Sequence, residues 1–403
     1  MTASIRASIA QLGFAPVIAF LTAEASPEAA DDAVLAHFTP EAGSALGGAA
    51  IAAAEDVGAA DAVPAARVFR HLGIVYGTVE AAGLSALRAS PAVRAVKPAA
   101  QLSLIRSVTA ARPSEPRGTV WGVGHLQAPE LWAQGWTGAG VRVAHLDTGV
   151  DATHPCLDGA VVEFAEFDHT GRRVPDAPMR DGDRDRHGTH TAATLAGRET
   201  DGVRVGVAPG AELCSALVIE GGDITARILG GMDWAVGVGA RVLSMSLGIR
   251  GLVNSFLDLV AILRDNGVLP VVAIGNEGPG TSRSPGTYPR ALSVGAHDRD
   301  GLVAGVSSSQ RFQRRTHPLT PDVVAPGVDV VSAGREGGWQ TLSGTSMATP
   351  HVAGLAALLM QAHPDADIDT IERAILESAR LGSMAPERAN HGAVDGLRAL
   401  DRL

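Results

Sequence analysis

Leu342-Ser343-Gly344-Thr345-Ser346-Met347-Ala348-Thr349-Pro350-His351-Val352-Ala353-Gly354 sets a small-residue turn directly before an apolar run, Val352 to Met360, of helical length. Ser346 falls at or near a helix N-terminus, where free N–H groups and the positive end of the helix dipole favour developing negative charge. A serine so placed is either an ordinary N-cap, the usual role of Ser or Thr before a helix, or a nucleophile within reach of a histidine and a carboxylate. Outward from this stretch, from Trp121 on, short apolar runs alternate with helical patterns. The runs are Val141 to Leu146, Leu213 to Ile219, Val242 to Leu247, Val268 to Ile274 and Ala291 to Val294. The helical patterns are Ile224 to Val238, Val253 to Asp265, Ser346 to Gln361 and Asp367 to Ala379. Near-continuous apolar strands separated by helices predict an α/β fold, a mostly parallel sheet with helices on both faces. In such sheets functional groups gather beyond the carboxyl ends of the strands.

Three further positions fit that rule. Asp147 directly follows the strand Val141 to Leu146, in Leu-Asp-Thr-Gly-Val-Asp; its plain reading is a turn-starting aspartate. His187 opens Arg186-His187-Gly188-Thr189-His190-Thr191, whose small residues suit a helix start pressed against a neighbour. His190 stands one turn further on, a spacing that can ligate a metal. No glutamate separates the histidines as zinc-protease helices require, so His190 reads as structural. Asn276, in Gly275-Asn276-Glu277-Gly278, follows the apolar strand Val268 to Ile274 and is either a turn former or an amide donor aimed into a site. Together the four meet a chemical need. Serine needs a base to attack at neutral pH, histidine can take and return the proton, and aspartate fixes the histidine tautomer. Amide donors, here the Ser346 N–H and the Asn276 side chain, receive an oxyanion.

The 403-residue chain is long enough for two or three domains, and 46% hydrophobic with 19% charged residues is a globular composition. A formal charge of -10 supplies no basic face, so no nucleic-acid partner is expected. No stretch is long and apolar enough to span a membrane. Cys156 and Cys214, the only cysteines, make neither a disulfide framework nor a four-ligand zinc site, and read as small buried thiols.

The segments Asp147-Thr148-Gly149, His187-Gly188-Thr189-His190, Ser246-Leu247-Gly248, Gly275-Asn276-Glu277-Gly278 and Gly344-Thr345-Ser346-Met347-Ala348-Thr349-Pro350 resemble the subtilisin-like serine proteases, the subtilases (peptidase family S8). They occur in the subtilisin order, Asp, His, Ser, over most of a catalytic domain. The resemblance implies a serine endopeptidase with Asp147, His187 and Ser346 as its triad, working through an acyl-enzyme. It puts Asn276 and the Ser346 N–H in the oxyanion hole. It implies a substrate-pairing edge at Ser246, Leu247 and Gly248, and a side-chain pocket walled by Ala273 and Gly275. Glu277 at the pocket rim reads as a solvated loop carboxylate rather than a selector of basic side chains. The resemblance requires no cofactor. Calcium is considered only at the acidic loop Asp176 to Asp185, through Asp181 and Asp183, and a solvated charged loop is the preferred reading there. The alternative function is a non-catalytic, peptide-binding subtilase fold; a Gly-x-Ser-x-Gly esterase elbow is absent around Ser346.

Residues 1–112 read as a small α+β unit, roughly β-α-β-α-β, with strands at Pro16 to Thr22, Val68 to Val79 and Val93 to Val96 and helices at Asp31 to His37 and Glu80 to Ala89. The stretch between Thr39 and Val63 is left unplaced. The pattern resembles the ferredoxin-like propeptide of the family, an intramolecular inhibitor and folding template, and so implies a zymogen. Residues 113–120 are the linker and 121–403 the catalytic domain; self-cleavage is expected within Ser107 to Val120. The expected partners are a protein or peptide substrate and the chain's own N-terminal unit, with the protein acting as a monomer. Secretion is the family default, yet the N-terminus reads as a strand and not a leader, so the compartment is left open.

Overall fold

The computed structural model describes residues 5–22, 34–39, 66–109, 116–221 and 223–403. The N-terminal unit runs α1 (Ile5–Leu12), β1 (Ala15–Leu21), β2 (Ala66–Phe69), β3 (Ile74–Val79), α2 (Ala81–Ala89) and β4 (Val93–Pro98), and then β5 (Ser103–Leu104) leaves it. Strands β1 to β4 form one antiparallel sheet in the order β2-β3-β1-β4. The single strand expected at Val68 to Val79 is a hairpin of two, because Gly73, at φ +60, turns the chain between Phe69 and Ile74. The unplaced stretch, and residues 31–33 of the helix expected at Asp31 to His37, lie outside the described residues; Val34 and Phe38 are buried in the small core of this unit.

The larger unit is built on β6 (Arg142–Asp147), β7 (Val161–Glu166), α3 (His187–Ala196), β8 (Glu212–Leu217), α4 (Ile224–Gly237), β9 (Val242–Met245), β10 (Leu247–Arg250), α5 (Leu257–Asp265), β11 (Leu269–Ala273), β12 (Leu292–His297), β13 (Val323–Pro326), α6 (Thr345–Ala362) and α7 (Ile368–Ser378). Its sheet has seven strands, all parallel, in the order β13-β12-β11-β9-β6-β8-β7. Successive residues of each strand point to opposite faces, and the core splits accordingly. Val143, Leu213, Val242 and Val271 face α3 and α6, while Ala144, Cys214, Leu243 and Val272 face α4 and α5. Two edge strands escaped the sequence reading. In β7, Val-Val-Glu-Phe-Ala-Glu carries two carboxylates and is only half buried, and β13 has four residues and ends in proline.

The strand order locates the cleft. From β6 the chain goes first to the edge at β7 and returns to place β8 between them, then crosses to β9 on the other side of β6 and builds outward through β11, β12 and β13. The two directions part between β6 and β9, and a crevice opens beyond the carboxyl ends at such a switch point. Asp147 ends β6, and Ser246 follows β9. The N-terminal sheet lies against α4: Ile18, Phe20, Ile74 and Tyr76 share an apolar cluster with Ala226, Ile228 and Leu229. Asp223, which caps α4 through the N–H groups of Thr225 and Ala226, also accepts from Gln101 at 3.2 Å and from the Tyr76 hydroxyl.

Candidate active site

The Asp147 carboxylate is buried and meets the His187 imidazole across the switch point. His187 Nδ1 donates to Asp147 Oδ1 at 2.7 Å, and the Thr148 N–H donates to the same oxygen at 2.8 Å. The close approach of the β6 loop to α3 depends on Gly188: a Cβ there would stand 2.1 Å from the Gly149 carbonyl oxygen. Burial alone would raise the Asp147 carboxyl, but the charge and hydrogen bond of His187 outweigh it and hold the group below its ordinary value. Burial likewise works against the His187 cation; Asp147, helped by Asp181 and Asp183, prevails and raises the imidazole above its ordinary value.

Asp181 braces this pair. Its Oδ1 accepts from Thr148 Oγ1 at 2.7 Å and Asp183 N at 3.0 Å, and its Oδ2 from Thr189 N at 2.7 Å and Thr189 Oγ1 at 2.6 Å. Asp183 Oδ2 faces the N–H groups of His187 and Asp185, while its Oδ1 lies 3.8 Å from the Arg106 guanidinium. With those oxygens already accepting protein donors, the calcium reading at Asp181 and Asp183 does not fit. Among the described residues no three His, Cys, Asp or Glu side chains are gathered as a metal site. The solvated-loop reading fails too for Asp181, which is buried. His190 is a structural histidine: its Nε2 bonds the Val330 carbonyl at 3.0 Å and burial pushes it down to about 3. Cys156 and Cys214 are free and buried, and burial pushes their thiols up to about 12 and about 11.

Ser346 is the second residue of α6, wholly buried. Asn276 stands beside it, and its orientation is fixed because Oδ1 accepts from Thr345 N at 2.9 Å and Thr345 Oγ1 at 3.0 Å. Nδ2 is thereby the donor of the amide that faces away from Thr345. Gly344, at φ +152, lets the two meet: a Cβ would stand 2.7 Å from that Nδ2. Glu277 differs from expectation. It is half buried and ion-paired, accepting from Arg283 Nε at 2.9 Å and from Arg283 Nη2, with Arg250 at 3.5 Å. Arg283 also donates to the Gly248 carbonyl at 3.0 Å, so the charge at the rim is neutralised within the protein.

The cleft is filled by the chain's own backbone. β5 pairs antiparallel with β10, Leu104 opposite Leu247 and Ser103 opposite Gly248, and the Ile105 N–H continues the ladder to the Ser246 carbonyl at 3.1 Å. Leu102 and Ile105 are buried, with Ile105 completely enclosed. Ser346 Oγ donates to the Ile105 carbonyl at 2.7 Å, and Asn276 Nδ2 donates to the next carbonyl, that of Arg106, at 2.9 Å. Beyond it Val108–Thr109 pairs with Leu342 and Ser343, just before Ser346. The hydroxyl and the amide therefore hold successive carbonyls. His187 Nε2 is buried with no hydrogen-bond partner, and the Ser346 hydroxyl donates to a peptide carbonyl. Nothing in the short Ser103-Leu104 run marks it as a strand; the one sequence signal is apolar Leu102, Leu104 and Ile105 just upstream of a basic, Pro-rich linker.

A parallel α/β sheet whose strand ends gather a carboxylate, an imidazole, a hydroxyl and an amide around an added peptide strand defines a class of peptide-handling α/β protein. Residues 138–396 match the Subtilase family, and the chain belongs to it. Its relatives include M-protease of Shouchella clausii (strain KSM-K16), 39% identical over 246 residues, which are 60% of this chain and 60% of that protein. Subtilisin Savinase of Lederbergia lenta is 39% identical over 60% of this chain and 85% of its own length. Subtilisin E of Bacillus subtilis (strain 168) is 36% identical over 252 residues, 60% of this chain and 61% of that protein. The matched part of the chain thus spans about 60% of M-protease and of subtilisin E.

Proposed function

We propose that the protein is a serine endopeptidase made as a self-processing zymogen. Ser346 attacks the carbonyl carbon of a bound peptide while His187 Nε2 takes its proton, and Asp147 holds His187 Nδ1 and steadies the imidazolium. Asn276 Nδ2 and the Ser346 N–H receive the oxyanion. Collapse expels the amine, protonated by His187, and leaves an acyl-serine that water then hydrolyses by the same relay. The observation that carries this reading is the peptide already in place, with the Ile105 carbonyl on Ser346 Oγ and its strand laddered onto β10. Main-chain pairing to a sheet edge suits a substrate class of extended protein segments.

Residues 1 to about 105 then act as the intramolecular inhibitor. The ladder ends with Ile105 on Ser246, which favours Ile105–Arg106 as the bond cut. That bond is upstream of the window Ser107 to Val120. The described end of that window is poorly suited: Gly118–Thr119 pairs with Val203–Arg204 and Val120 is buried. For cutting, Ser346 must turn from the Ile105 carbonyl to His187, and that carbonyl must take the Asn276 amide from Arg106. A fluorophosphonate probe on the processed protein tests the chemistry: a stoichiometric Ser346 adduct supports it, and none, with no peptide hydrolysis, leaves a peptide-binding fold. Mass spectrometry of wild type and Ser346→Ala tests processing: a variant cut as readily as wild type rules out self-cleavage.

A further inference from the structure

Behind Asp147 the sheet carries a histidine that the Asp147–His187–Ser346 set does not use. His145 lies on β6 on the same face as Asp147, 1% exposed, among the apolar Val143, Ala144 and Leu146. Its Nδ1 meets Ser215 Oγ at 3.1 Å, from the position directly opposite on β8. Its Nε2 meets Thr191 Oγ1 at 2.9 Å, on α3. Thr191 Oγ1 lies 3.3 Å from Asp147 Oδ2, the oxygen that His187 does not use, and His145 Nε2 itself is 3.8 Å from it. An imidazole and two hydroxyls buried beside the α3 core cost free energy that apolar side chains would not, so their presence in a mutually bonded row asks for a use.

The protons can be assigned. Burial pushes His145 down to about 4, so the ring is neutral and carries one proton. The anionic Asp147 oxygen 3.8 Å away favours that proton on Nε2. Nδ1 is then the acceptor of the Ser215 O–H, and Nε2–H donates to Thr191 Oγ1. The Thr191 proton has three acceptors: the His187 and Gly188 carbonyls, each at 3.1 Å, and Asp147 Oδ2 at 3.3 Å. Left alone, a helical threonine bonds its own preceding turn. The carboxylate is the stronger acceptor, and a donor behind the hydroxyl polarises it further toward the anion.

We propose that His145 is a positioning residue: with Ser215 behind it and Thr191 ahead, it forms a hydrogen-bonded chain that holds the second oxygen of Asp147, so that the first stays on His187. The inference rests on the endopeptidase reading for its kinetic consequence and on the chain alone for its proton placement. Kinetically, His145→Leu and Thr191→Val in the processed enzyme each lower kcat by ~10-fold with KM within about twofold, the scale of a small misplacement of a catalytic group. His145→Gln, which keeps an N–H at the end of the side chain, recovers kcat to within about threefold. Wild-type kcat in both His145→Leu and Thr191→Val overturns the proposal, as does His145→Gln no better than His145→Leu. If His145→Leu does not fold, Thr191→Val, a hydroxyl exchanged for a methyl, decides alone. Nitrogen-15 histidine spectra of the full chain carrying Ser346→Ala read the tautomer without turnover. An Nε2–H His145, unchanged from about pH 6 to 9, supports the chain; an Nδ1–H ring overturns it. If the wild type neither cuts peptides nor takes the fluorophosphonate, the endopeptidase reading fails, and the spectra still judge the row.

Discussion

Ile105→Ala is the most telling perturbation of the filled cleft. Ile105 is completely buried, its N–H is laddered to Ser246 and its carbonyl lies on Ser346 Oγ. Truncation to alanine keeps both backbone groups and removes three buried carbons. At ~0.8 kcal/mol for each, the segment loses about 2.4 kcal/mol of its hold on the cleft. The equilibrium between seated and lifted segment then moves by ~60-fold. The reporter is built in: Arg106 is the next residue, its side chain 74% exposed while its carbonyl is pinned by Asn276. Trypsin therefore needs the segment lifted to cut after Arg106. In the full chain carrying Ser346→Ala, which is expected not to cut itself, the rate of appearance of the fragment ending at Arg106 tracks the lifted population when reseating is fast. The double variant Ser346→Ala, Ile105→Ala should be cut there ~60-fold faster than Ser346→Ala alone, with the other tryptic sites unchanged. An acceleration below about threefold would mean that the Ile105 side chain does not anchor the segment, and the inhibitor reading of residues 1 to about 105 would fall with it.

Asn276→Ala should lower kcat by ~10²–10³ with KM nearly constant, the magnitude that belongs to the oxyanion donor of subtilisin itself; a raised KM at unchanged kcat would contradict the role. Activity needs neutral His187, and Asp147 raises that imidazole. The acid limb of kcat/KM should therefore lie above the ordinary value of ~6.5, with activity lost as pH falls through it. Asp147→Asn should remove that elevation and cut kcat by ~10³–10⁴; an unmoved limb in the pH–rate profile would show that another group titrates. Gly188→Ala, forced against the Gly149 carbonyl, should destabilise by ~1–3 kcal/mol and part Asp147 from His187; full activity and an unchanged melting temperature would refute that close approach.

The sheet and the four candidate side chains were legible because each sits where a strong local signal sits. Asp147 ends an apolar strand and Asn276 closely follows one, Ser346 opens a helix after a small-residue turn, and His187 opens a helix whose next residues are small. Edge strands carry a weaker signal, since half-exposed Val161–Glu166 need not be apolar throughout. The hairpin at 66–79 reads as one strand from Val68 because apolar residues stand on both sides of Arg70 and His71 and only Gly73 betrays the turn. Glu277 looked solvated because nothing in sequence separation announces Arg283 or Arg250 as its partners. Nothing local singles out His145 within the apolar run Val141 to Leu146, since its partners Thr191 and Ser215 lie on other elements.

The filled cleft was the least legible feature, and for a reason that bears on mechanism. Ser103-Leu104 is too short to be a strand on its own; it becomes one only because β10 offers unpaired backbone groups next to the switch point. On the endopeptidase reading, the edge that would capture a substrate is the same edge that orders the chain's own segment. Binding by this edge does not suffice for cutting, because two successive carbonyls are shared between Ser346 and Asn276 and His187 is left without the serine. A strand seated one step out of line in this way gains the ladder and the buried Ile105 while withholding the carbonyl that the amide must receive. Processing then requires a small shift of backbone against fixed donors, not the assembly of a new site. On the proposed zymogen reading, the seated segment and a substrate differ in alignment alone, and release of residues 1 to about 105 would open a cleft whose carboxylate and imidazole are already joined.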